Sequence, residues 1–333
     1  MRESLAELEK QLAAAGSRPG TEIARVDLLL KMCVAFRETD DWTRLRTAAE
    51  EARSLSESVG YRPGIAASLA HSAYVSYIFS EFQAAIPSAV NALQIAEECG
   101  ARMAEGQACA VLALVYWSLG DFNSAVRFGE RTQLLAEANG DRVMMAWTYI
   151  VRGSISQGFG EMEDALNWVA KAQAIVREDG FKIGEARALI VQGSVYQAMG
   201  RTQEALEAAT RALELAEECR NQLTISRALN DQGAAYRALS RPSDAMDCYQ
   251  RALEIRRRGG YRSAEITTLL DIAQHHKQLG DIAAAIYEAS AAVTLAAELG
   301  VKPKLSQAHR LLAELFELTG NFRQAVVHLK EYQ

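Results

Sequence analysis

The sequence repeats with a period of forty residues. When the chain is divided into blocks of forty from residue 21, position 13 of every block holds a small residue: Cys33, Ala73, Ala113, Gly153, Gly193, Gly233, Ala273 and Ala313. Position 25 is Leu45 in the first block and alanine in the others: Ala85, Ala125, Ala165, Ala205, Ala245, Ala285 and Ala325. A pattern that stays in phase along the chain predicts a row of similar units, each stacked on its neighbours.

Turn residues divide each block into two segments of equal length. One set lies in the middle of the blocks: Gly120, Gly160, Gly200, Gly280 and Gly320, with Ser80 and Ser240 in place of glycine. The other set lies at the block boundaries: Gly60, Gly100, Gly140, Gly180, Gly260 and Gly300. Glycine is frequent just past the end of a helix, because the chain there often needs a positive φ angle. Since the segments between the turns are rich in Ala, Leu and Glu, each block predicts two helices.

The small residues would let the two antiparallel helices of a block approach closely. Large residues at positions 16 and 35 would then fill the remaining space: Phe36, Tyr116, Tyr196, Tyr236 and Phe316, and Leu55, Ile95, Leu135, Ile175, Leu215, Ile255 and Leu295. Pro87 departs from the pattern, because it lies about one turn inside a second helix and predicts a kink or a late start there.

One segment carries a family resemblance: Leu189, Gly193, Tyr196, Gly200, Ala205 and Ala212. This order resembles the tetratricopeptide repeat, with its large residue, glycine, tyrosine and two alanines. The resemblance covers residues 21–333 as eight repeats, the last incomplete, after an N-terminal capping helix at residues 1–20. It implies an all-α fold, a right-handed superhelical solenoid of about eight antiparallel helix pairs. The period of forty exceeds the usual 34 residues, and the family's late proline is replaced by glutamates: Glu97, Glu137 and Glu217.

Similar long repeats occur in eukaryotic scaffold and motor-adaptor proteins and in sensory regions of bacterial signalling proteins. The resemblance therefore implies a binding architecture. Two other folds have a similar period. A β-propeller would need β-branched strands and frequent turns, which these Ala- and Leu-rich segments lack. HEAT-type helical repeats come closer, but they give no reason for the order of glycine, aromatic residue and alanine.

No sequence motif indicates catalysis. The chain has no phosphate-binding loop, nucleophile elbow or dinucleotide fingerprint, and no histidine forms a helical zinc motif with a neighbouring glutamate. We therefore expect no enzyme activity, no cofactor and no metal. His276 falls at position 16, which favours core packing. The five cysteines are scattered, which predicts reduced and mostly buried thiols.

Charge and hydropathy exclude two classes of partner. A formal net charge of −6 argues against broad attraction to nucleic acid or anionic lipid. We find no uninterrupted apolar run of membrane-spanning length and no secretory signal, which predicts a cytoplasmic protein without membrane insertion. An arginine cluster is predicted to form a solvated face, with a phosphate or acidic-partner site as the alternative: Arg251, Arg256, Arg257, Arg258 and Arg262.

A second stripe runs along the first helix of each block, at positions 7, 10, 14 and 17. The resemblance implies that first helices line the concave surface, where residues need not repeat because they do not support stacking. The predicted binding residues are Tyr74, Tyr77, Leu114, Trp117, Trp147, Ile150, Arg187, Ile190, Gln197, Arg227, Asn230 and Arg237. They change from aromatic and aliphatic to polar and basic along the chain. The other possibility is that tight winding buries some of these aromatic residues against neighbouring helices.

The favoured function is a non-catalytic scaffold that binds a protein or a peptide with apolar and acidic groups. The alternative is a regulatory sensor domain that binds a small ligand or a partner and controls a downstream effector domain. A closed apolar pocket near Trp117 and Trp147 would favour small-molecule sensing.

The last block ends at Gln333, within its second helix. Its apolar residues contrast with the polar surface usual at the end of a solenoid: Ala325, Val326, Val327 and Leu329. We expect that the chain is a fragment, continues into a further element such as an output domain, or pairs with a second copy.

Overall fold

A computed structural model describes residues 4–16 and 20–332, and this described part of the chain is helical throughout. It contains 17 helices and no strand: α1 (Leu5–Ala15), α2 (Glu22–Glu38), α3 (Trp42–Val59), α4 (Arg62–Ile78), α5 (Phe82–Cys99), α6 (Arg102–Leu119), α7 (Phe122–Asn139), α8 (Arg142–Gly158), α9 (Met162–Glu178), α10 (Lys182–Ala198), α11 (Thr202–Glu218), α12 (Gln222–Ala238), α13 (Pro242–Gly259), α14 (Arg262–Leu279), α15 (Ile282–Leu299), α16 (Lys302–Leu318) and α17 (Phe322–Tyr332). The predicted all-α array of about eight antiparallel helix pairs is confirmed.

The array divides into two compact units. The first comprises residues up to 117 together with 122–188 and 215–221. Within it α2 packs on α3, α4 on α5 and α8 on α9, and α1 lies against α2. Alanines form the contact between neighbouring hairpins, as where Ala92 of α5 meets Ala108 of α6 and Ala96 meets Ala104. Stacking of hairpins on small side chains therefore builds this core.

The second unit comprises residues 118–121, 189–214 and 222–333. The hairpins α12–α13, α14–α15 and α16–α17 stack in chain order. A Cβ atom added at Gly193 would lie 3.3 Å from the carbonyl oxygen of Ala205, which shows how closely positions 13 and 25 approach. The core between α14, α15 and α16 joins four fully buried alanines of α15 to leucines of both neighbours: Ala285, Ala289, Ala292 and Ala296.

By length and composition alone, helix α15 is the one helix of the described residues that could cross a membrane. Glu288 and Glu298 interrupt its apolar residues, so it contains no uninterrupted apolar run of that length. Its alanine face packs between α14 and α16.

Left-handed turns end the helices at intervals of twenty residues. Each predicted turn glycine or serine has a positive φ angle, from 58° at Ser240 to 85° at Gly120. The following N–H closes the helix end, as where the amide of Tyr61 donates to the carbonyl of Ser56 at 2.8 Å. Asp40 and Arg220 adopt the same conformation, with φ of 57° and 54°. The sequence does not predict these two turns, because neither residue is a glycine or serine.

The start of α5 and the buried histidine of α14 both differ from the sequence prediction. Helix α5 begins at Phe82, in phase with the other second helices, so the predicted late start at Pro87 is wrong. Histidine 275, and not His276, occupies the core. His275 is 2% exposed and neither ring nitrogen has a partner, whereas His276 is half-buried and lies 3.9 Å from Asp281. Position 15, not 16, therefore faces inward in this repeat.

The apolar side chains of the last helix are exposed. Phe322 is 66% exposed, and Val326, Val327 and Leu329 are also exposed. Only Ala325 of α17 is buried.

Replacing glycine by alanine at one turn and at one position inside a helix tests this account of the turns. Gly160 has a φ of 83° and nothing within 4 Å of an added Cβ, so Gly160→Ala should lower the free energy of unfolding by about 1 kcal/mol, through backbone strain alone. Gly129 lies inside α7, also with nothing within 4 Å, so Gly129→Ala should raise it by about 0.5–1 kcal/mol. Urea denaturation followed by circular dichroism would measure both. Effects of the same sign would contradict this account of the turns.

Candidate functional site

In the first unit, the stripe residues are partly used in packing. Tyr74 and Ile150 are buried, while Tyr77 and Leu114 keep some exposed surface. The ring of Tyr74 lies 6.1 Å from that of Tyr77 and 6.1 Å from that of Trp42 on α3. Burial of stripe aromatics, the alternative left open by the sequence, thus applies to Tyr74.

Two arginines meet the ring of Trp147 in the same unit. The Cζ atom of Arg187 lies 4.6 Å from the Trp147 ring centroid, and that of Arg37 lies 5.2 Å from it. Arg37 also lies 4.8 Å from the ring of Tyr74. These four side chains come from α2, α4, α8 and α10, and we call them the arginine–aromatic stack. The structure thus brings together Tyr74, Trp147 and Arg187 from the predicted set.

Trp117 lies in a different cluster. Its ring is 4.8 Å from Phe122 and 6.1 Å from Phe159, and a Cβ atom added at Gly158 would lie 2.5 Å from it. Phe122 and Phe159 are 37% and 51% exposed. Within the described residues the ring of Trp147 instead packs against that of Phe181, with 5.5 Å between the ring centroids.

Burial lowers the pKa values of two basic groups at the arginine–aromatic stack. Desolvation lowers the pKa of Arg37, and the nearby Arg187 lowers it further, while Tyr74 acts in the opposite direction. Burial, reinforced by Arg37, lowers the pKa of His71 on α4 to about 3, so this imidazole is neutral at physiological pH. The cations at this position are therefore Arg37 and Arg187.

In the second unit, the predicted polar residues differ in their contacts. Ile190, Gln197, Arg227 and Arg237 keep some exposed surface, whereas Asn230 is 3% exposed. Arg227 makes no hydrogen bond or ion pair within the described part of the chain.

A buried arginine organises the polar side chains of this unit. Arg256 on α13 is 3% exposed, and its Nη1 donates to Asn230 Oδ1 at 3.1 Å and to the carbonyl of Ala264 at 2.8 Å. It also donates to Ser226 and Thr268. Burial lowers its pKa to about 10. The prediction that the arginine cluster forms a solvated face is therefore wrong for Arg256. Its N–H groups donate to side chains and carbonyl groups inside the protein.

Two other members of that cluster are paired at the surface. Arg257 lies 2.8 Å from Glu265, and Arg262 lies 2.5 Å from Glu298. These exposed pairs contribute little to stability.

Asn230 links Arg256 to an acidic side chain on α14, the first helix of the next repeat. Its Nδ2 donates to Asp271 Oδ2 at 2.7 Å, and its Oδ1 accepts from Thr268 at 2.8 Å as well as from Arg256. Both lone pairs of its Oδ1 and one of its two N–H donors are thus used inside the protein.

Two charged groups beside this network are surrounded by protein. Desolvation raises the pKa of Asp231 to about 7, and its Oδ2 is buried without a partner. Desolvation, with repulsion from Arg256 and Arg227, lowers the pKa of Lys304 to about 7. Lys304 donates to the carbonyl of Ser263 and to Thr267.

Cations outnumber acids here. Four basic side chains share the region with three acids: Arg227, Arg237, Arg256 and Lys304 with Asp231, Asp271 and Glu265. The whole chain carries −6, so this excess is local and favours an anionic group.

Some of these residues carried a signal that sequence analysis did not use. Arg37 occupies position 17 of the first block, so extending the stripe to that block would have found it. Asp231 and Asp271 share position 11, beside the stripe, where the third to fifth repeats have valine. Arg256 carried no signal, because position 36 belongs to a second helix. No group of three or more His, Cys, Asp or Glu that could hold a metal occurs in the described residues.

The model of the tetratricopeptide repeat matches residues 144–218 and 184–258. This match identifies residues 144–258 as tetratricopeptide repeats, and the other described helices follow the same hairpin pattern. No curated protein matches it by sequence.

Several solved structures share the fold. A Rap protein complexed with Competence and Sporulation Factor aligns with a TM-score of 0.67 at 11% identity, over 93% of this chain and 96% of that one. The apo form of the quorum sensor NprR from B. thuringiensis aligns at 0.61 with 15% identity, over 98% and 91%. A signal transduction ATPase with a tetratricopeptide repeat sensor from Pyrococcus horikoshii aligns at 0.56 with 14% identity, over 95% of this chain and 46% of that one. Identity this low shows likeness of fold alone.

The pKa of Asp231 gives a pH-dependent prediction. The folded protein holds this proton up to about pH 7, whereas an unfolded aspartate loses it near its usual pKa of 3.8. Stability at this site is therefore lost as pH rises from about 4 to 7. Asp231→Asn should raise the free energy of unfolding by about 1–3 kcal/mol at pH 8 and by much less at pH 4.5.

Urea denaturation at the two pH values would measure the difference. Asp247→Asn, at an exposed position of α13, serves as the control and should change neither value. Loss of stability in Asp231→Asn at pH 8 would contradict the prediction, because it would mean that the carboxylate is stabilised by its arginine neighbours.

Proposed function

We propose that this protein is a non-catalytic, cytoplasmic regulatory protein that binds a peptide or protein ligand along the stripe of its first helices. The observation that carries the proposal is that the stripe presents cations without partners. Arg37 and Arg227 each lie half-buried and make no hydrogen bond or ion pair within the described residues. A partly desolvated cation without a partner is costly for the fold, so a complementary ligand group would be strongly favoured.

The neighbouring structures support the same function. One is a Rap protein in complex with Competence and Sporulation Factor, and another is described as a quorum sensor. Both align over more than nine-tenths of this chain. We therefore expect a ligand that acts as a signal, with acidic groups that suit the arginines and apolar groups that suit the aromatic side chains.

The alternative is a sensor region that controls an attached effector domain. It is favoured by the signal transduction ATPase, in which the part that aligns with this chain makes up 46% of a longer protein. Both functions require the same binding surface. They differ in whether the regulated effector is a separate molecule or an attached domain.

An affinity selection from a library of random octapeptides tests the proposal. The full chain, Arg227→Gln and Arg251→Gln would each be immobilised, and retained peptides would be identified by mass spectrometry. Peptides retained by the wild type should bind Arg227→Gln about tenfold to a hundredfold more weakly, since charge-assisted hydrogen bonds contribute about 1.5–3 kcal/mol. Arg251→Gln makes the same change at an exposed position of α13 and should retain them equally.

Melting temperatures of the three proteins would show whether a binding defect reflects unfolding. If the wild type retains no peptide above the level of an unrelated protein, peptide binding is excluded. Equal retention by Arg227→Gln would exclude the stripe of the second unit as the binding surface.

A further inference from the structure

The arginine–aromatic stack of the first unit has a specific donor geometry. The guanidinium of Arg37 lies near two rings, with Cζ 4.8 Å from the centroid of Tyr74 and 5.2 Å from that of Trp147. A guanidinium that contacts rings through its faces keeps its N–H donors at its edge, where they remain able to bind an acceptor. The stack therefore fixes the position of Arg37 without using its hydrogen-bonding capacity.

Two donor groups of this cluster, those of Arg37 and Trp147, have no acceptor within the described residues. Within the described residues Arg37 makes no hydrogen bond, and no carboxylate lies within 4 Å of it. The indole Nε1 of Trp147 is buried and also has no partner. Guanidinium and indole groups can only donate hydrogen bonds, so the group that would satisfy them must be an acceptor.

The surrounding charges favour an anion. Arg187 adds a second positive charge over the ring of Trp147. His71 is neutral, and the nearest acids that act on Arg37 are Glu38, next to it in sequence, and Asp141. Asp141 already accepts from the amide of Met144 at 3.0 Å as the cap of α8. Neither acid neutralises Arg37 by direct contact.

We infer that Arg37, Trp147 and Arg187 form an oxyanion site, which binds a carboxylate or phosphoryl group of the ligand through the edge of the Arg37 guanidinium. The inference rests on the proposed function, because it specifies one chemical group of the ligand that the stripe binds. A planar carboxylate or a phosphate offers paired oxygens that match the two-pronged donor edge of arginine, which a halide ion cannot do. Since the indole N–H is buried, it joins the site as a donor only when the neighbouring side chains move.

The test uses small anions, which need no knowledge of the natural ligand. The wild type, Arg37→Gln, Arg37→Lys and Arg102→Gln would be melted in sodium phosphate, sodium acetate and sodium chloride at equal ionic strength. Arg102 lies exposed at the start of α6 in the same unit and serves as the matched control. Phosphate or acetate at about 50 mM should raise the melting temperature of the wild type and of Arg102→Gln by about 2–4 °C above chloride.

In Arg37→Gln the site-specific part of this difference should vanish, and in Arg37→Lys it should be smaller, because lysine keeps the charge but not the two-pronged edge. Phosphate also stabilises proteins in general by exclusion from their surface, and that part of the shift will remain in every variant. The comparison of acetate with phosphate tells which oxyanion the site prefers. An equal shift in Arg37→Gln and wild type, or no shift in either, would overturn the inference.

A second measurement does not depend on the stability of the Arg37 variants. In ¹⁵N-labelled wild-type protein, phosphate should move the indole N–H resonance of Trp147 with saturation, while that of Trp168 stays unchanged; Trp147→Phe assigns the resonance. Movement of neither would overturn the site. Failure of these anion experiments with intact peptide retention would remove the oxyanion site and leave the proposed function, whereas loss of peptide retention removes both.

Discussion

The close approach of helices through alanine and glycine is the contact on which the rest of the structure depends. Gly193 touches the backbone of Ala205, and α15 meets both its neighbours through an all-alanine face. Dispersion contacts and burial at this distance hold each hairpin to the next. Because the packing faces take up these positions in every repeat, the stripe on the first helices is free to vary.

The residues of the stripe differ between the two units. In the first, the stripe combines aromatic rings with Arg37 and Arg187, so that rings fix the position of the cations. In the second, a buried network around Arg256 and Asn230 supports a region where cations outnumber acids. Both arrangements leave a desolvated arginine without a protein acceptor, and this is the basis of the proposed ligand chemistry.

Whatever recurs in every repeat could be predicted from the sequence. The helices, their lengths and the small residues at positions 13 and 25 follow from periodicity, because each position is tested eight times in one chain. Features that occur once were missed. Asp40 and Arg220 adopt left-handed turns where other repeats use glycine or serine, and Asn221 donates to Asp40 at 2.8 Å from a distant part of the chain. Arg256 and His275 are buried at positions whose burial depends on partners that no local pattern reveals.

The division between packing faces and the binding stripe can be tested most directly by measuring the free energy of unfolding in urea for one variant of each kind. Ala285→Leu places a larger side chain in the fully buried contact of α15 and should lower it by about 2 kcal/mol. Arg227→Gln removes a stripe cation without a partner and should change it by less than about 0.5 kcal/mol or raise it. A loss in Arg227→Gln as large as that in Ala285→Leu would show that the stripe supports the fold, and would contradict the account.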